Sequence, residues 1–347
     1  MNIASASDER YLPGLLVTWG SILASSSSAY IHFYLLHDGL SDELIDGFES
    51  RLRKHRSGFN LTALLISTDS MVGLPEFFFD SRMTYARLLL PSLIDVDRVI
   101  YIDVDLLCLR GVDEVWSHEL NNQPIGVVEE YEYTGVDFEV IQKYSKNSKA
   151  HRYFNGGLLL LDLVKIRAEG SFTRCFEVLE KSTDLCKYYD QSALNAVFAC
   201  RCSYMNTNLN FQLHDSRICS VEQLDRLVEG ECNIHYITSF KPWIAPSSLM
   251  THRLFCYCYA FFMNDEGGMR ELLQSRGGLF ACIKNALSFF KASALKRVGM
   301  GGAHIGLISE AHHRSMKVLW REWLHNKQIA AAFRRLRSKW DRNDGSD

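Results

Sequence analysis

The chain has 347 residues, of which 47% are apolar and 23% charged. That balance is ordinary for a folded globular protein and excludes a chain disordered through its main body. The formal net charge of −3 is too small to point to a partner by itself.

Asn2–Ala6 opens the chain as a strand candidate, and the stretch has no basic start followed by an apolar run. No secretion signal is therefore expected, and the cytoplasm is the expected compartment. Leu12–Leu23 carries apolar residues at helical spacing, with Ser25–Ser28 as its polar end. Ile31–Leu36 reads as a strand that stops at the turn His37-Asp38-Gly39. Ser41 is a candidate N-cap for a helix running to about His55. Leu61–Ile66 is strand-like, Arg82–Leu90 is helical in pattern and stops at Pro91, and Arg98–Ile102 is a short apolar run ending in acids. This alternation predicts an α/β fold with a mostly parallel sheet flanked by helices.

Gly156–Asp162 is a buried-strand candidate. Phe172–Leu179 and Gln191–Ala199 look helical, and Asn233–Ile237 is a short strand leading into Lys241-Pro242-Trp243. No run of about 18 or more apolar residues appears, so no membrane span is expected. The ten cysteines are scattered, and the pairs Cys200/Cys202 and Cys256/Cys258 lack the usual zinc spacing. Reduced, mostly buried thiols are expected.

The last part changes character. From Ala281 to Asp347 there are thirteen Lys/Arg and five Asp/Glu, a net +8 that leaves −11 for the rest. Arg270–Leu295 mixes apolar and basic residues, and Val298–Ala303 looks like a flexible break. His313–Trp340 then combines Trp320, Trp323, Phe333 and Trp340 with many Arg and Lys. Two readings stay open: a helix lying on an anionic membrane surface, or a helix packed back on the main body with its basic side in water.

The sharpest motif is Tyr101-Ile102-Asp103-Val104-Asp105. On a continuing strand, side chains two apart point the same way, so Asp103 and Asp105 can converge on one hard cation. In open α/β sheets ligands bind beyond the carboxyl ends of strands, where this pair falls. The pattern alone is weak, because acidic pairs are common on solvated turns. A phosphatase of the haloacid-dehalogenase type also places such a pair after a strand, with the first Asp as nucleophile. The motif here is followed by Leu106-Leu107 and lies about a hundred residues into the chain, against that type's habit of placing it near the start.

Six blocks in order make the chain resemble glycosyltransferase family 8, which includes bacterial lipopolysaccharide galactosyl- and glucosyltransferases and glycogenin. They are NIASASDERY at 2–11, Thr84-Tyr85-Ala86-Arg87, YIDVD at 101–105, YFNGGLLLLD at 153–162, YDQSALN at 189–195 and HYITSFKPW at 235–243. The resemblance runs from Asn2 to about Trp243 and implies a GT-A type, Rossmann-like catalytic domain, placed at 1–265; by composition, 266–347 reads as a basic, aromatic-rich helical appendage. It implies a metal, Mn²⁺ or Mg²⁺, held by Asp103, Asp105 and His235, and a UDP-sugar donor. Ala6, Asp8 and Tyr11 match positions that bind the uracil. Val104 lies within the metal motif. Arg87 matches an arginine at the donor sugar and phosphates, Lys241 would meet the β-phosphate, and Asn155, Gly156 and Gly157 would lie against the sugar. Asp190 would hold sugar hydroxyls and Gln191 would lie near the anomeric carbon, so Arg87, Asp190 and Gln191 are the candidate catalytic residues.

Two positions depart from the family pattern: Thr238 stands where a glycine is usual, and Ser192 where a second acid often follows Asp-Gln. The resemblance implies a retaining hexosyltransferase that moves galactose or glucose to a saccharide acceptor, lipopolysaccharide or another glycolipid. Self- or protein glycosylation and silent UDP-sugar binding are the alternatives. Retention leaves open a covalent intermediate or attack on the face that UDP leaves. An anionic membrane surface is an expected partner through the C-terminal region, giving a peripheral place on the inner membrane face. No nucleic-acid partner is expected.

Overall fold

The computed structural model describes residues 1–67, 71–75, 82–131, 134–146, 148–213, 221–238, 241–244, 250–264 and 327–342. The features read from Arg270–Leu295, Val298–Ala303, Trp320 and Trp323 lie outside these residues.

β1 (Asn2–Ala6), α1 (Leu12–Ser25), β2 (Ile31–His37), α2 (Asp42–Arg53) and β3 (Phe59–Leu65) follow one another, and the three strands pair in parallel. Ser41 caps α2 as expected, its hydroxyl accepting from the Leu44 amide. The chain then returns to the other flank of β1. It passes through a 3-10 stretch Met83–Leu89 and the single turn α3 (Leu90–Leu93) into β4 (Arg98–Ile102), parallel to β1. Pro91 does not stop a helix here. It sits in the first turn of α3, where a missing N–H breaks no hydrogen bond. Because β2 and β4 flank β1 on opposite sides, the crevice beyond β1 and β4 is a topological switch point.

After β5 (Leu106–Leu107), α4 (Asp113–Ser117), β6 (Ile125–Glu129) and α5 (Phe138–Tyr144) comes β7 (Phe154–Asp162). The remaining elements are α6 (Leu163–Glu169), α7 (Ser171–Lys181), α8 (Tyr189–Val197), β8 (Cys202–Tyr204), β9 (Phe211–Gln212), α9 (Val221–Val228), β10 (Ile234–His235) and α10 (Met250–Phe262). The main sheet has seven strands in the order β3-β2-β1-β4-β7-β6-β8. The sheet is mostly parallel, as expected; β7, antiparallel to both β4 and β6, is its one reversed strand. This orientation has no mark in the sequence, because a strand buried on both faces is one unbroken apolar run. Its side chains alternate between two cores: Leu158 and Leu160 join one, Leu159 and Leu161 the other.

The reversal positions the site. The start of β7, Asn155-Gly156-Gly157, now lies beside the end of β4, where the Asp103 amide donates to the Gly157 carbonyl at 2.8 Å. A second, three-stranded sheet, β5-β10-β9, stands His235 opposite Leu106, next to Asp105.

A final helix, α11 (327–342), packs back on this body. Ile329, Phe333, Leu336 and Trp340 are buried in the same core as α1 and α10. Phe333 stacks on Tyr257 with ring centroids 5.4 Å apart, and Trp340 lies 5.2 Å from Phe262. Arg335 pairs with Asp225 of α9, and Lys339 donates to the Glu229 carbonyl at 3.0 Å. For this segment the packed-back reading holds: Phe333 and Trp340 face protein, while Arg334 and Arg337 are exposed. Among the described residues no helix is long and apolar enough to cross a membrane.

Candidate active site

Two adjoining clefts open at the switch point. One is lined by Ala6, Asp8, Tyr11, Arg87, Val104 and Lys241, among others; the second, by Glu130, Asn155, Asp190, Gln191 and His235. Thr84, Arg87, Asp103, Asp105 and Lys241 line both. All the residues singled out in the sequence are thus brought to one place, with Gly156 and Gly157 forming the floor between Arg87, Gln191 and His235.

In the first cleft Asp8, two residues past β1, caps a 3-10 turn, accepting from the Tyr11 amide at 3.2 Å. Burial, helped by Asp105 and Asp8, pushes the Tyr11 phenol up to about 12, so the ring is neutral at physiological pH. Trp243 packs edge-on to Tyr11 at 5.8 Å and donates its indole N–H to the Arg10 carbonyl. It belongs to the wall rather than the cleft. Gly14 makes this possible, because a Cβ there would stand 2.5 Å from the Val104 carbonyl and 2.6 Å from the Trp243 ring.

Asp103 and Asp105 lie in the turn after β4, not on a continuing strand. Their convergence comes from this turn and from the small sheet. Asp103, Asp105 and His235 each offer an atom within 4.8 Å of the others, a group suited to a metal ion. Asp105 is held by Lys241 Nζ at 2.6 Å from Oδ2 and by His235 Nε2 at 3.0 Å from Oδ1. Burial raises its pKa, but Lys241 and His235 outweigh that, so it stays well below the usual carboxylate range. Oδ1 is nevertheless buried without a hydrogen-bond partner. A buried carboxylate oxygen left over beside an imidazole and a second carboxylate fits a hard divalent cation. Gly157 leaves the space: a Cβ there would stand 2.3 Å from His235 Cε1 and 2.9 Å from Asp103 Oδ2.

The other end is a charge cluster around Arg87. Its guanidinium lies 3.2 Å from Asp103 Oδ1 and 2.8 Å from Asp190 Oδ2, donates to the Gly156 carbonyl, and covers the Tyr101 ring. Burial opposes its charge, and Asp103 and Asp190 more than reverse that. Asp190 shows the opposite balance to Asp105: burial raises its pKa, and Arg87 only partly offsets this. Its other oxygen accepts from Thr84 at 2.6 Å. Tyr189, at φ 54°, turns the chain sharply just before it. Gln191 accepts from the Gly156 amide at 2.7 Å, which fixes its amide and turns Nε2 towards Glu130, 3.4 Å away.

The structure modifies three expectations. Lys241 is not a free charge; it is tied to Asp105 and to the Tyr236 carbonyl at 2.6 Å. Asp190 is held by protein groups: Oδ1 accepts from Thr84, and Oδ2, which makes no hydrogen bond, lies 2.8 Å from Arg87 Nε. Ser192 has a local reason: its hydroxyl donates to Asp137 at 2.8 Å and accepts from the Tyr188 amide. A second acid at 192 would face the buried Asp137 carboxylate. Thr238 is not among the described non-glycine residues at positive φ, so its backbone does not require glycine. Glu130 and Asn210 were not foreseen; each acts through amide contacts that leave no pattern in the sequence.

A mostly parallel sheet with one reversed strand and an acidic turn at its switch point defines a glycosyltransferase fold of the GT-A type, and solved structures agree. A galactosyltransferase, LgtC, solved with donor and acceptor sugar analogues, is 26% identical with a TM-score of 0.64, covering 75% of this chain and 95% of that one. The glycosyl transferase family 8 model matches residues 2–246, and the chain belongs to that family. It is 26% identical over 253 residues to a lipopolysaccharide 1,2-glucosyltransferase of Escherichia coli strain K12, covering 70% of this chain and 72% of that protein. A lipopolysaccharide 1,3-galactosyltransferase of Salmonella typhimurium is likewise 26% identical, over 260 residues, with 70% and 72% covered.

Proposed function

We propose that the protein transfers glucose or galactose from a UDP-sugar to a saccharide acceptor of the lipopolysaccharide type, with a divalent metal held by Asp103, Asp105 and His235. The observation that carries this reading is the leftover oxygen of Asp105 within a cluster of three potential ligands. Two carboxylates and one imidazole suit Mn²⁺ or Mg²⁺. When bound, the metal supplies Lewis-acid stabilisation of the departing diphosphate.

The chain's own residues divide the remaining work. Asp8 and Tyr11 form a polar edge and a neutral aromatic face for the uracil. Lys241 adds a positive charge beside Asp105, where a diphosphate would lie. Arg87 holds Asp103 and Asp190 in register with the Gly156 backbone. Asn155, Gly156, Gly157, Asp190 and Gln191 shape the sugar end. Asp190 is paired with Arg87 and bonded by Thr84, and Gln191 is an amide, so neither is a ready nucleophile. This supports attack by the acceptor on the face that UDP leaves, with retention of configuration. The exposed arginines of α11 support contact with an anionic membrane surface where such acceptors reside.

The test is UDP release from a panel of UDP-sugars with an oligosaccharide acceptor, with Mn²⁺ and with chelator. Mn²⁺-dependent release from a UDP-hexose is expected. Equal release in chelator, or none from any donor and acceptor, would contradict the reading.

A further inference from the structure

The three proposed ligands do not explain why His235 presents Nε2, rather than Nδ1, to Asp105. The answer starts at a donor whose direction is not in question, the backbone N–H of Gly157. It donates to Asn155 Oδ1 at 2.9 Å, while Asn155 Nδ2 donates to the Glu130 carboxylate at 2.9 Å. Flipping the Asn155 amide would break both bonds, so its oxygen end is fixed. Asn210 reaches that oxygen at 2.9 Å and must therefore present Nδ2 to it. Its own oxygen then faces His235 Nδ1 at 2.9 Å. An amide oxygen only accepts, so Nδ1 carries a proton.

Nε2 is thereby left as the nitrogen free to take a ligand, and it stands 3.0 Å from the unpartnered Asp105 Oδ1. The whole relay is enclosed: Asn210 is 1% exposed, His235 3% and Asn155 6%. Water cannot easily replace a missing member.

We infer that Asn210 is the positioning residue of the metal centre: oriented by Asn155 and the Gly157 amide, it holds the proton on His235 Nδ1 and dedicates Nε2 to the cation. The inference rests on the metal reading above, but its local claim concerns a proton on one nitrogen. Partners that orient a ligating histidine commonly change metal affinity by about 10–100-fold when removed.

Two measurements test it. In protein labelled with ¹⁵N-histidine and loaded with Mg²⁺ and UDP, His235 should give a one-bond Nδ1–H signal, assigned by its loss in His235→Gln. A proton on Nε2 instead would overturn the inference. Metal-free protein should keep the Nδ1–H signal, so failure to bind any metal would sink the metal reading and leave this claim standing. Asn210→Ala should lose the signal and weaken Mn²⁺ binding by about 10–100-fold. Wild-type affinity and an unchanged signal would overturn the role. Asn210→Asp keeps an acceptor for the Nδ1 proton and loses only the donor to Asn155. It should retain the Nδ1–H signal and bind Mn²⁺ better than Asn210→Ala; a loss equal to the alanine variant would contradict the assignment.

Discussion

Asp105 and Asp190 are buried carboxylates of one cleft, yet their surroundings are inverted. At Asp105 a lysine ammonium, Lys241, and an imidazole, His235, share one carboxylate. At Arg87 two carboxylates, Asp103 and Asp190, share one guanidinium. Each leaves one buried carboxylate oxygen without a hydrogen bond, Asp105 Oδ1 and Asp190 Oδ2, but only the first lies beside two further potential metal ligands, whereas the second faces a guanidinium tied to the backbone at Gly156 and Thr84. The difference separates a place that receives charge from a place that holds geometry. Asp103 faces both, linking the metal group to the arginine.

The largest effect should come from breaking the first arrangement. Asp105→Asn keeps the shape but removes a ligand charge, and should lower kcat by about 10²–10³-fold, measured as UDP release, with the fold retained by circular dichroism. Gly157→Ala should do similar damage by crowding His235 and Asp103, since a displacement of about 1 Å can cost about 10²-fold.

Breaking the second arrangement should show first in stability. Arg87→Ala leaves Asp190 and Asp103 without their shared cation, and should cost about 3–5 kcal/mol in denaturant titration. Retained stability would show that the cluster is solvated and not structural. Tyr11 lies outside both arrangements. Tyr11→Ala should weaken UDP binding by about 1–3 kcal/mol by calorimetry, the worth of a stacked base, with little change in metal affinity.

The smallest and sharpest contrast is in pH. The Asp105 carboxyl is depressed on folding, so its stabilisation is present above the usual carboxylate range and is lost as pH falls. The Asp190 carboxyl is raised, so its contribution is fullest in acid and is lost as pH rises through the raised value. In chelator, the stability gap between wild type and Asp105→Asn should therefore narrow on acidification. The gap for Asp190→Asn should narrow in the opposite direction. Parallel slopes would refute the inverted arrangement.

Much of this cleft was legible in the sequence, for a physical reason. Asp103, Asp105, His235, Lys241 and the Asn155-Gly156-Gly157 run are residues whose type is dictated by charge, ligation or lack of a side chain, and they recur as short blocks. The strand Arg98–Ile102 and the cap Ser41 were equally readable, because an apolar run and a capping hydroxyl act locally. The direction of β7 was not, since a doubly buried strand has no polar face to show which way it runs. Asn210 and Glu130 were invisible because each works through a hydrogen bond to a residue 25 or more positions away. Phe333 and Trp340 were ambiguous, because an aromatic face suits a protein core as well as a membrane; Tyr257 and Phe262 decided it. The 3-10 form of Met83–Leu89 escaped too, because its apolar spacing is close to that of an α-helix.

The central claim is that Asp105, with Asp103 and His235, holds the divalent cation. Mn²⁺ titration followed by electron paramagnetic resonance, with UDP present, addresses it without depending on the sugar or the acceptor. The account predicts one tight Mn²⁺ site in the wild type that disappears in Asp105→Asn. Equal Mn²⁺ binding in the two proteins, or none in either, would contradict it.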